Sequence, residues 1–194
     1  MNFAKSVLVA QVLNKSAALD ESEIDLIAPL FQTVCLRAGD FFIQEGGPIH
    51  KVAFVVSGIL RRYTTIRQGL DIVLQFICED HFFGDIDGYY KRKPSKANVQ
   101  AITNCHLLTI QMDDLDRLKK EDKKFAAIIR FISEEAINER LKTEILINEG
   151  SPYEKYQHFL AHYSKWASRI PLKDIASYLQ IRPGTLSYIG NQQL

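Results

Sequence analysis

The hydrophobic pattern of this 194-residue chain changes its period at Met112, and that change constrains the fold more than any single motif. From about residue 32 to residue 111, short apolar and β-branched runs alternate with glycine-containing turns, which is typical of closely spaced antiparallel strands. After Met112, apolar residues recur at helical spacing. The sequence therefore predicts an α+β chain in which an antiparallel sandwich or small barrel precedes a helical part. The clearest strand-like runs are 33–36, 41–43, 52–56, 72–77 and 107–110.

Residues 3–30, which precede the strands, predict short helices. Asp20 and Glu23 have the spacing of a helix-capping box, and Ile24, Ile27 and Ala28 follow on one face.

Residues 122–149 predict one continuous helix that ends at the Gly150-Ser151-Pro152 turn. At 1.5 Å per residue it would be about 40 Å long, which is more than a small β domain can cover. Its apolar residues form one stripe that continues as a second, rotated stripe. The helix can therefore pair with the same helix of a second copy, or pack on its own β domain. The first stripe is Phe125, Ile128, Ile129, Ile132 and Ala136, and the second is Ile137, Leu141 and Ile145.

The C-terminal residues predict three short helices over 153–163, 172–179 and 184–193. Only about four residues, Gln180 to Pro183, join the last two. This spacing fits a helix-turn-helix whose second helix enters the major groove, but spacing alone also fits an αα-hairpin with no role in DNA binding.

Charge is distributed unevenly along the chain. The net charge is +1, with 46% hydrophobic and 24% charged residues. This composition excludes a disordered or collagen-like chain and disfavours a protein that coats nucleic acid or an acidic membrane, since such proteins carry a large excess of basic residues. From Ser151 onward the balance is +3. The positive residues there are Lys155, Lys165, Arg169, Lys173 and Arg182, against Glu154 and Asp174. We therefore expect a neutral first part and a mildly basic second part.

The N-terminus does not resemble a secretory signal, and no apolar run reaches the length of a transmembrane helix. Cys35, Cys78 and Cys105 each lie in an apolar run, so we expect three buried, reduced thiols and a cytoplasmic location.

The order of these parts, together with several short stretches, resembles the cAMP-receptor-protein/FNR (Crp/Fnr) family of transcription regulators, in the short branch common in Bacteroidetes-type bacteria. The stretches are Leu36-Arg37-Ala38-Gly39-Asp40, Gln44-Glu45-Gly46, Phe54-Val55-Val56-Ser57-Gly58-Ile59-Leu60-Arg61, Phe82-Phe83-Gly84-Asp85, Ile175-Ala176-Ser177-Tyr178-Leu179 and Thr185-Leu186-Ser187.

The resemblance implies three parts. Residues 1–121 would form an effector-sensing domain, with N-terminal helices and a cyclic-nucleotide-binding-like antiparallel β-roll (a double-stranded β-helix). Residues 122–150 would be a long dimerisation helix, and residues 151–194 a helix-turn-helix DNA-binding domain without a full wing. The implied function is regulation of transcription by a homodimer that binds double-stranded DNA, in the form of a palindromic operator, and responds to a small-molecule effector.

The resemblance implies an effector pocket formed by Gly84, Asp85, Ser95, Lys96 and Asn98. Asp85 replaces the usual glutamate, and Ser95 stands where the family has the arginine that binds the cyclic phosphate. A neutral hydroxyl cannot replace a bidentate guanidinium, and Lys96 would point to the opposite face of a strand. We therefore expect that cAMP is not the physiological ligand.

The implied recognition helix also departs from its relatives. Gly184 and Tyr188 stand where a glutamate and an arginine are common, Gly190 replaces a basic residue, and Gln180 occupies a turn position usually held by glycine. A left-handed backbone at Gln180 would be strained. The candidate DNA-binding residues are Arg182, Thr185, Ser187, Tyr188, Asn191 and Gln192.

Enzymatic and metal-dependent functions find little support in the sequence. Three scattered cysteines cannot hold an iron–sulfur cluster, His158 and His162 lack further ligands, and neither a His-x-His pair nor a nucleophile elbow is present. We expect no catalytic activity, no metal and no bound cofactor. The leading alternative to a DNA-binding regulator is a dimeric sensor or interaction scaffold whose DNA-reading helix has decayed.

Overall fold

The elements follow one another in the order that the change of period predicts. The computed structural model describes residues 3–13, 19–66, 69–85, 88, 91–148 and 150–191. The strands are β1 (Gln32–Leu36), β2 (Phe41–Ile43), β3 (Lys51–Ser57), β4 (Leu60–Thr65), β5 (Asp71–Ile77), β6 (Phe82–Phe83), β7 (Asn98–Ala101) and β8 (Cys105–Gln111). The α-helices are α1 (Phe3–Leu13), α2 (Glu21–Ile27), α3 (Met112–Glu121), α4 (Lys123–Asn148), α5 (Pro152–Tyr163), α6 (Leu172–Leu179) and α7 (Pro183–Asn191).

The strands form two four-stranded antiparallel sheets, which we call the β-roll. The strand orders are β1-β8-β3-β6 and β2-β7-β4-β5, so β5 is an edge strand of the second sheet. Both sheets contribute to one apolar cluster that includes Val55, Leu60, Val99 and Leu107, all at most 4% exposed. The predicted antiparallel β architecture is thus confirmed.

The turn between β3 and β4 requires a glycine. Gly58 has φ = +99°, and a Cβ there would lie 2.4 Å from the carbonyl oxygen of Asn104. The backbone of this tight turn therefore approaches the loop before β8 more closely than any side chain would allow.

The helices on the N-terminal side follow the local sequence signals. Asp20 and Glu23 form the predicted capping box at the start of α2. Asp113 and Asp114 lie in the first turn of α3, where carboxylates oppose the helix dipole.

The two ends of α4 have different surroundings. Phe125 and Ile128 are buried against the β-roll and the N-terminal helices. Farther along, Phe131, Ile137 and Leu141 are 38%, 55% and 50% exposed. One part of the helix packs on its own β domain, and the other presents apolar side chains to solvent.

Helices α5–α7, which we call the C-terminal unit, share a core with the β-roll. Phe76 of β5 is buried, and its ring centroid lies 6.0 Å from that of Phe159, 5.8 Å from Tyr163 and 5.0 Å from Tyr178. Ile175 and Leu186 of the C-terminal unit belong to the same buried cluster. An aromatic side chain of the β-roll therefore completes the core of the C-terminal unit.

The prediction of three buried thiols is wrong at one position. Cys78 and Cys105 are buried, but Cys35 is exposed, as is Thr33 two residues earlier on the same face of β1. Within the described residues, no helix is both long and apolar enough to cross a membrane.

Candidate sensor pocket and nucleic-acid interface

Gly84 and Asp85 follow the short strand β6, close to β3. A Cβ on Gly84 would lie 3.2 Å from Cγ2 of Val52, so the backbone here packs closely against β3. The carboxylate of Asp85 accepts a hydrogen bond from the N–H of Gly88 at 3.0 Å. Asp85 therefore stabilises its own loop.

The segment leading into β7 alternates between buried and more exposed side chains. Ser95, Ala97 and Val99 are 5%, 1% and 4% exposed, whereas Lys96 is exposed and Asn98 is half-buried. The carboxamide oxygen of Asn98 accepts the N–H of Glu45 at 2.9 Å. β7 begins only at Asn98, so Lys96 lies in the bend before the strand, exposed to solvent, while Ser95 is buried. The predicted pocket residues are not all brought to one surface.

The Ser95 hydroxyl is engaged in a local turn. It donates to the carbonyl oxygen of Ala97 at 2.7 Å and accepts the Ala97 N–H at 3.3 Å. The backbone of Ser95 also pairs with Gly46 and Gly47 of the loop after β2, at 2.8 and 2.9 Å. These contacts hold the two loops together and engage the Ser95 hydroxyl within its own turn.

A cavity of about 680 Å³ opens beside this segment and contains none of the predicted pocket residues. Arg92 and Lys93 line it together with Asp113 and Asp116 of α3, so its wall carries charges of both signs. This cavity was not predicted from the sequence, although the basic run Lys91-Arg92-Lys93 before Pro94 could have indicated it. Among the residues that the structure describes, the cavity is lined by Gly46, Pro48, Ile49, Gly88, Arg92, Lys93, Pro94, Asp113 and Asp116.

The last two helices are joined by the predicted strained turn. Gln180 has φ = +55° and ψ = +40°, and its N–H donates to the carbonyl oxygens of Ala176 and Ser177. This left-handed residue ends α6 and lets the chain turn into α7.

Helix α7 has a buried side and an exposed side. Leu186 and Ile189 are 0% and 7% exposed and pack into the C-terminal unit, while Tyr188 is 66% exposed. Arg182 and Ser187 are also exposed, and Thr185 is half-buried. Asn191 ends the helix and Gln192 lies outside the described residues, so the predicted DNA-binding residues are only partly placed.

No group of three or more His, Cys, Asp or Glu side chains suited to a metal ion occurs in the part of the chain that the structure describes. His158 and His162 both lie on α5.

Comparison with known proteins agrees with this architecture. Residues 33–122 match the cyclic nucleotide-binding domain family, and no curated protein shows significant similarity to the chain. FixK2 from Bradyrhizobium japonicum superposes with a TM-score of 0.74 at 18% identity, over 84% of this chain and 83% of its own.

Two further solved structures are similar. A candidate Crp/Fnr-family transcriptional regulator from Eubacterium rectale has a TM-score of 0.68 at 15% identity, over 90% of this chain and 83% of its own. The c-di-GMP-responsive global regulator CLP from Xanthomonas campestris has a TM-score of 0.67 at 13% identity, over 90% and 91%. Residues 33–122 thus match the cyclic nucleotide-binding domain family, and the chain over most of its length has the fold of these Crp/Fnr-type structures.

Proposed function

We propose that this protein is a homodimeric, DNA-binding transcriptional regulator of the Crp/Fnr type. The observation that carries the proposal is the two-sided character of α7. Its buried Leu186 and Ile189 anchor it in the C-terminal unit, and Arg182, Ser187 and Tyr188 remain exposed. A short helix that is anchored by its buried face and presents polar and aromatic side chains on its exposed face can insert into a major groove.

The charge of the C-terminal unit supports this function. Lys165, Lys173 and Arg182 are exposed. Two other charged side chains of the unit form ion pairs with the β-roll: Arg169 pairs with Glu79, and Asp174 pairs with Arg61. The exposed cations are a modest set for phosphate contacts, and a dimer would double it.

The exposed part of α4 supports dimerisation. Ile137 and Leu141 are four residues apart on one helical face and are both at least half exposed. Pairing with the same face of a second copy would bury them, as in other paired helices. A dimer would present two copies of α7 to half-sites about 34 Å apart.

The sensor pocket is proposed not to bind cAMP. Ser95 supplies no positive charge, its hydroxyl is engaged with Ala97, and Lys96 is exposed to solvent. Loss of one charge-assisted contact weakens binding about ten- to a hundredfold. Calorimetry with cAMP and the purified protein should therefore detect no micromolar binding, and a micromolar dissociation constant would contradict this part of the proposal.

DNA binding is tested by selecting genomic fragments with the purified full-length protein and measuring their affinity at several salt concentrations. We expect enrichment of a palindrome and an affinity that falls as salt rises. The variant Arg182→Ala should weaken binding and make the salt dependence shallower by about one unit of slope if Arg182 contacts a phosphate.

A second candidate function is a dimeric sensor or interaction scaffold that does not read DNA. Gly184 favours it, because this exposed position has no other group within 4 Å of an added Cβ and yet carries no side chain. Gly190 similarly offers no side chain near the end of α7. Failure to enrich any palindrome, with a dimer intact in solution, would support the scaffold over the regulator.

A further inference from the structure

The C-terminal unit covers the free edge of β5. The hydroxyl of Ser177 on α6 donates to the carbonyl oxygen of Asp71 at 2.8 Å and accepts the N–H of Val73 at 3.0 Å. An edge strand normally leaves such groups to water or to another chain. Here one serine side chain satisfies them and marks where the two parts of the molecule meet.

Glu79 forms the first charged attachment between these parts. It lies just after β5, and its carboxylate accepts two hydrogen bonds from the guanidinium of Arg169, at 2.8 and 2.6 Å. It also accepts the indole N–H of Trp166 and, at 2.8 Å, the backbone N–H of Gly58 in the β3–β4 turn. A bidentate pair with two further donors has directional geometry, so it restrains rotation as well as separation.

Arg61 forms the second attachment, from β4. Its guanidinium donates to Asp174 in the first turn of α6 at 2.8 Å, to Asp71 at 3.1 Å and to Gln100 of β7 at 2.9 Å. It also lies 4.1 Å from the centre of the Tyr63 ring. The side chains of Arg61 and Asp174 are only 13% and 7% exposed. Buried charge pairs add little net stability, but they penalise every arrangement that leaves one charge unpaired.

The two attachments leave the proposed DNA-binding face of α7 exposed. Arg182, Ser187 and Tyr188 stay exposed while the C-terminal unit is docked. The contacts with the β-roll can therefore hold α7 in one position without covering its exposed face.

We infer that Glu79 and Arg61 are positioning residues for DNA recognition, which fix the orientation of α7 relative to the β-roll. The inference rests on the proposed DNA-binding function. In a dimer, the orientation of each α7 determines which half-site spacing the two helices can reach together. Loss of the attachments should therefore relax the choice of spacing and leave the contact between one α7 and one half-site intact.

The test uses the isosteric double variant E79Q/D174N of the full-length chain. Its matched control, E134Q/D114N, removes charges from the within-helix pairs Arg130–Glu134 and Arg117–Asp114. The amide of Val73 reports docking without DNA, because its N–H is bonded to Ser177. We expect hydrogen exchange at Val73 to accelerate about tenfold or more in E79Q/D174N and to stay within about twofold in the control.

The second measurement is affinity for palindromes that differ only in spacer length, and for a single half-site. We expect the preference of E79Q/D174N for the best spacer to fall about tenfold, with half-site affinity within about twofold of wild type. If the double variant does not fold, E79Q alone replaces it, since that change leaves the Arg61–Asp174 pair in place.

Unchanged Val73 exchange would overturn the inference, because the attachments would then not hold the C-terminal unit. Faster exchange with an unaltered spacer preference would overturn it as well. If the wild type binds no DNA, the proposed function fails, and the role in recognition falls with it. The exchange measurement then still shows separately whether the attachments hold the unit.

Discussion

Gln180 adopts a left-handed backbone conformation that costs a residue with a Cβ about 1–2 kcal/mol. Glycine would relieve this cost and would add about 0.4–1 kcal/mol of conformational entropy to the unfolded chain. The relief of backbone strain in the folded state is larger than the entropy gained by the unfolded chain. Gln180→Gly should therefore raise the free energy of unfolding by about 0.5–1 kcal/mol. Urea denaturation measures this change. Gln180→Ala, which keeps the Cβ, serves as the control, and a lower urea midpoint for Gln180→Gly would contradict the expectation.

The pKa of Glu79 makes its attachment sensitive to acid. Burial by itself would raise the pKa of this carboxyl, but hydrogen bonds from Arg169, Gly58 and Trp166 outweigh burial and hold the pKa below its ordinary value. A carboxylate with a lowered pKa contributes stability above its unfolded-state pKa, about 4.3, and loses that contribution as pH falls through the folded-state pKa.

The difference in unfolding free energy between wild type and Glu79→Gln should therefore be constant near neutral pH and shrink below about pH 4.3. Urea unfolding at several pH values measures it, with the fluorescence of Trp166, the single tryptophan, as the probe. Glu134→Gln, at an exposed ion pair, provides the baseline. A difference that does not change with pH would show that the Glu79 carboxylate is not held as described.

Local rules predicted single residues well where the backbone alone decides the outcome. The missing glycine predicted the strained, left-handed backbone at Gln180, and the spacing of Asp20 and Glu23 predicted their capping box. The same rules could not predict that the Ser95 hydroxyl turns back onto Ala97, because that choice depends on the loop conformation. The prediction that Cys35 is buried failed as well, because an apolar run does not show which face of its strand is covered.

At the scale of elements, α4 combines the two arrangements that its sequence left open. Phe125 and Ile128 pack on the chain's own domain, and Ile137 and Leu141 are exposed. The rotated stripe indicated a second surface, but the division between the two could not be predicted because it depends on where the β-roll ends. The position of β4 was also hard to foresee, since Arg61 and Arg62 interrupt its apolar pattern.

Charges placed on the exposed stripe of α4 should separate the dimer. Burying a leucine or isoleucine contributes about 1.5–3 kcal/mol, so the double variant Ile137→Glu/Leu141→Glu should weaken dimerisation at least about a hundredfold. Light scattering at several concentrations measures the mass, and circular dichroism checks that the helix is intact. Asn138→Glu, at the neighbouring exposed polar position, should leave the mass unchanged. If the wild-type protein has the mass of a single chain, the premise that it forms a dimer is wrong.

At the scale of the whole molecule, the contacts between the β-roll and the C-terminal unit join residues far apart in sequence. Arg61 and Asp174 are separated by 113 positions, and Glu79 and Arg169 by 90. No local sequence pattern predicts either ion pair, since a charged residue in a strand or in the first turn of a helix usually faces water. The sequence could divide the chain into parts, but it could not predict how firmly the parts are joined.

Phe76 tests whether the joined parts unfold together. Its ring belongs to β5 yet contacts Phe159, Tyr163 and Tyr178, so removing it leaves a cavity that both parts line. Phe76→Ala should lower the free energy of unfolding by about 3–5 kcal/mol. The loss should appear equally in Trp166 fluorescence, which reports the C-terminal unit, and in hydrogen exchange of the β-roll strands. Phe41→Ala, at a ring that is 40% exposed on β2, is the matched control and should cost much less.

Coincident transitions in the wild type, shifted together by Phe76→Ala, would show that the two parts fold as one cooperative unit. A variant whose C-terminal unit unfolds early while the β-roll keeps its wild-type stability would contradict this. In that case the interface would behave like an ordinary contact between independent domains. The distinction bears on the proposed regulation. If the two parts form one cooperative unit, the C-terminal unit can change its orientation only together with β5 and the second sheet.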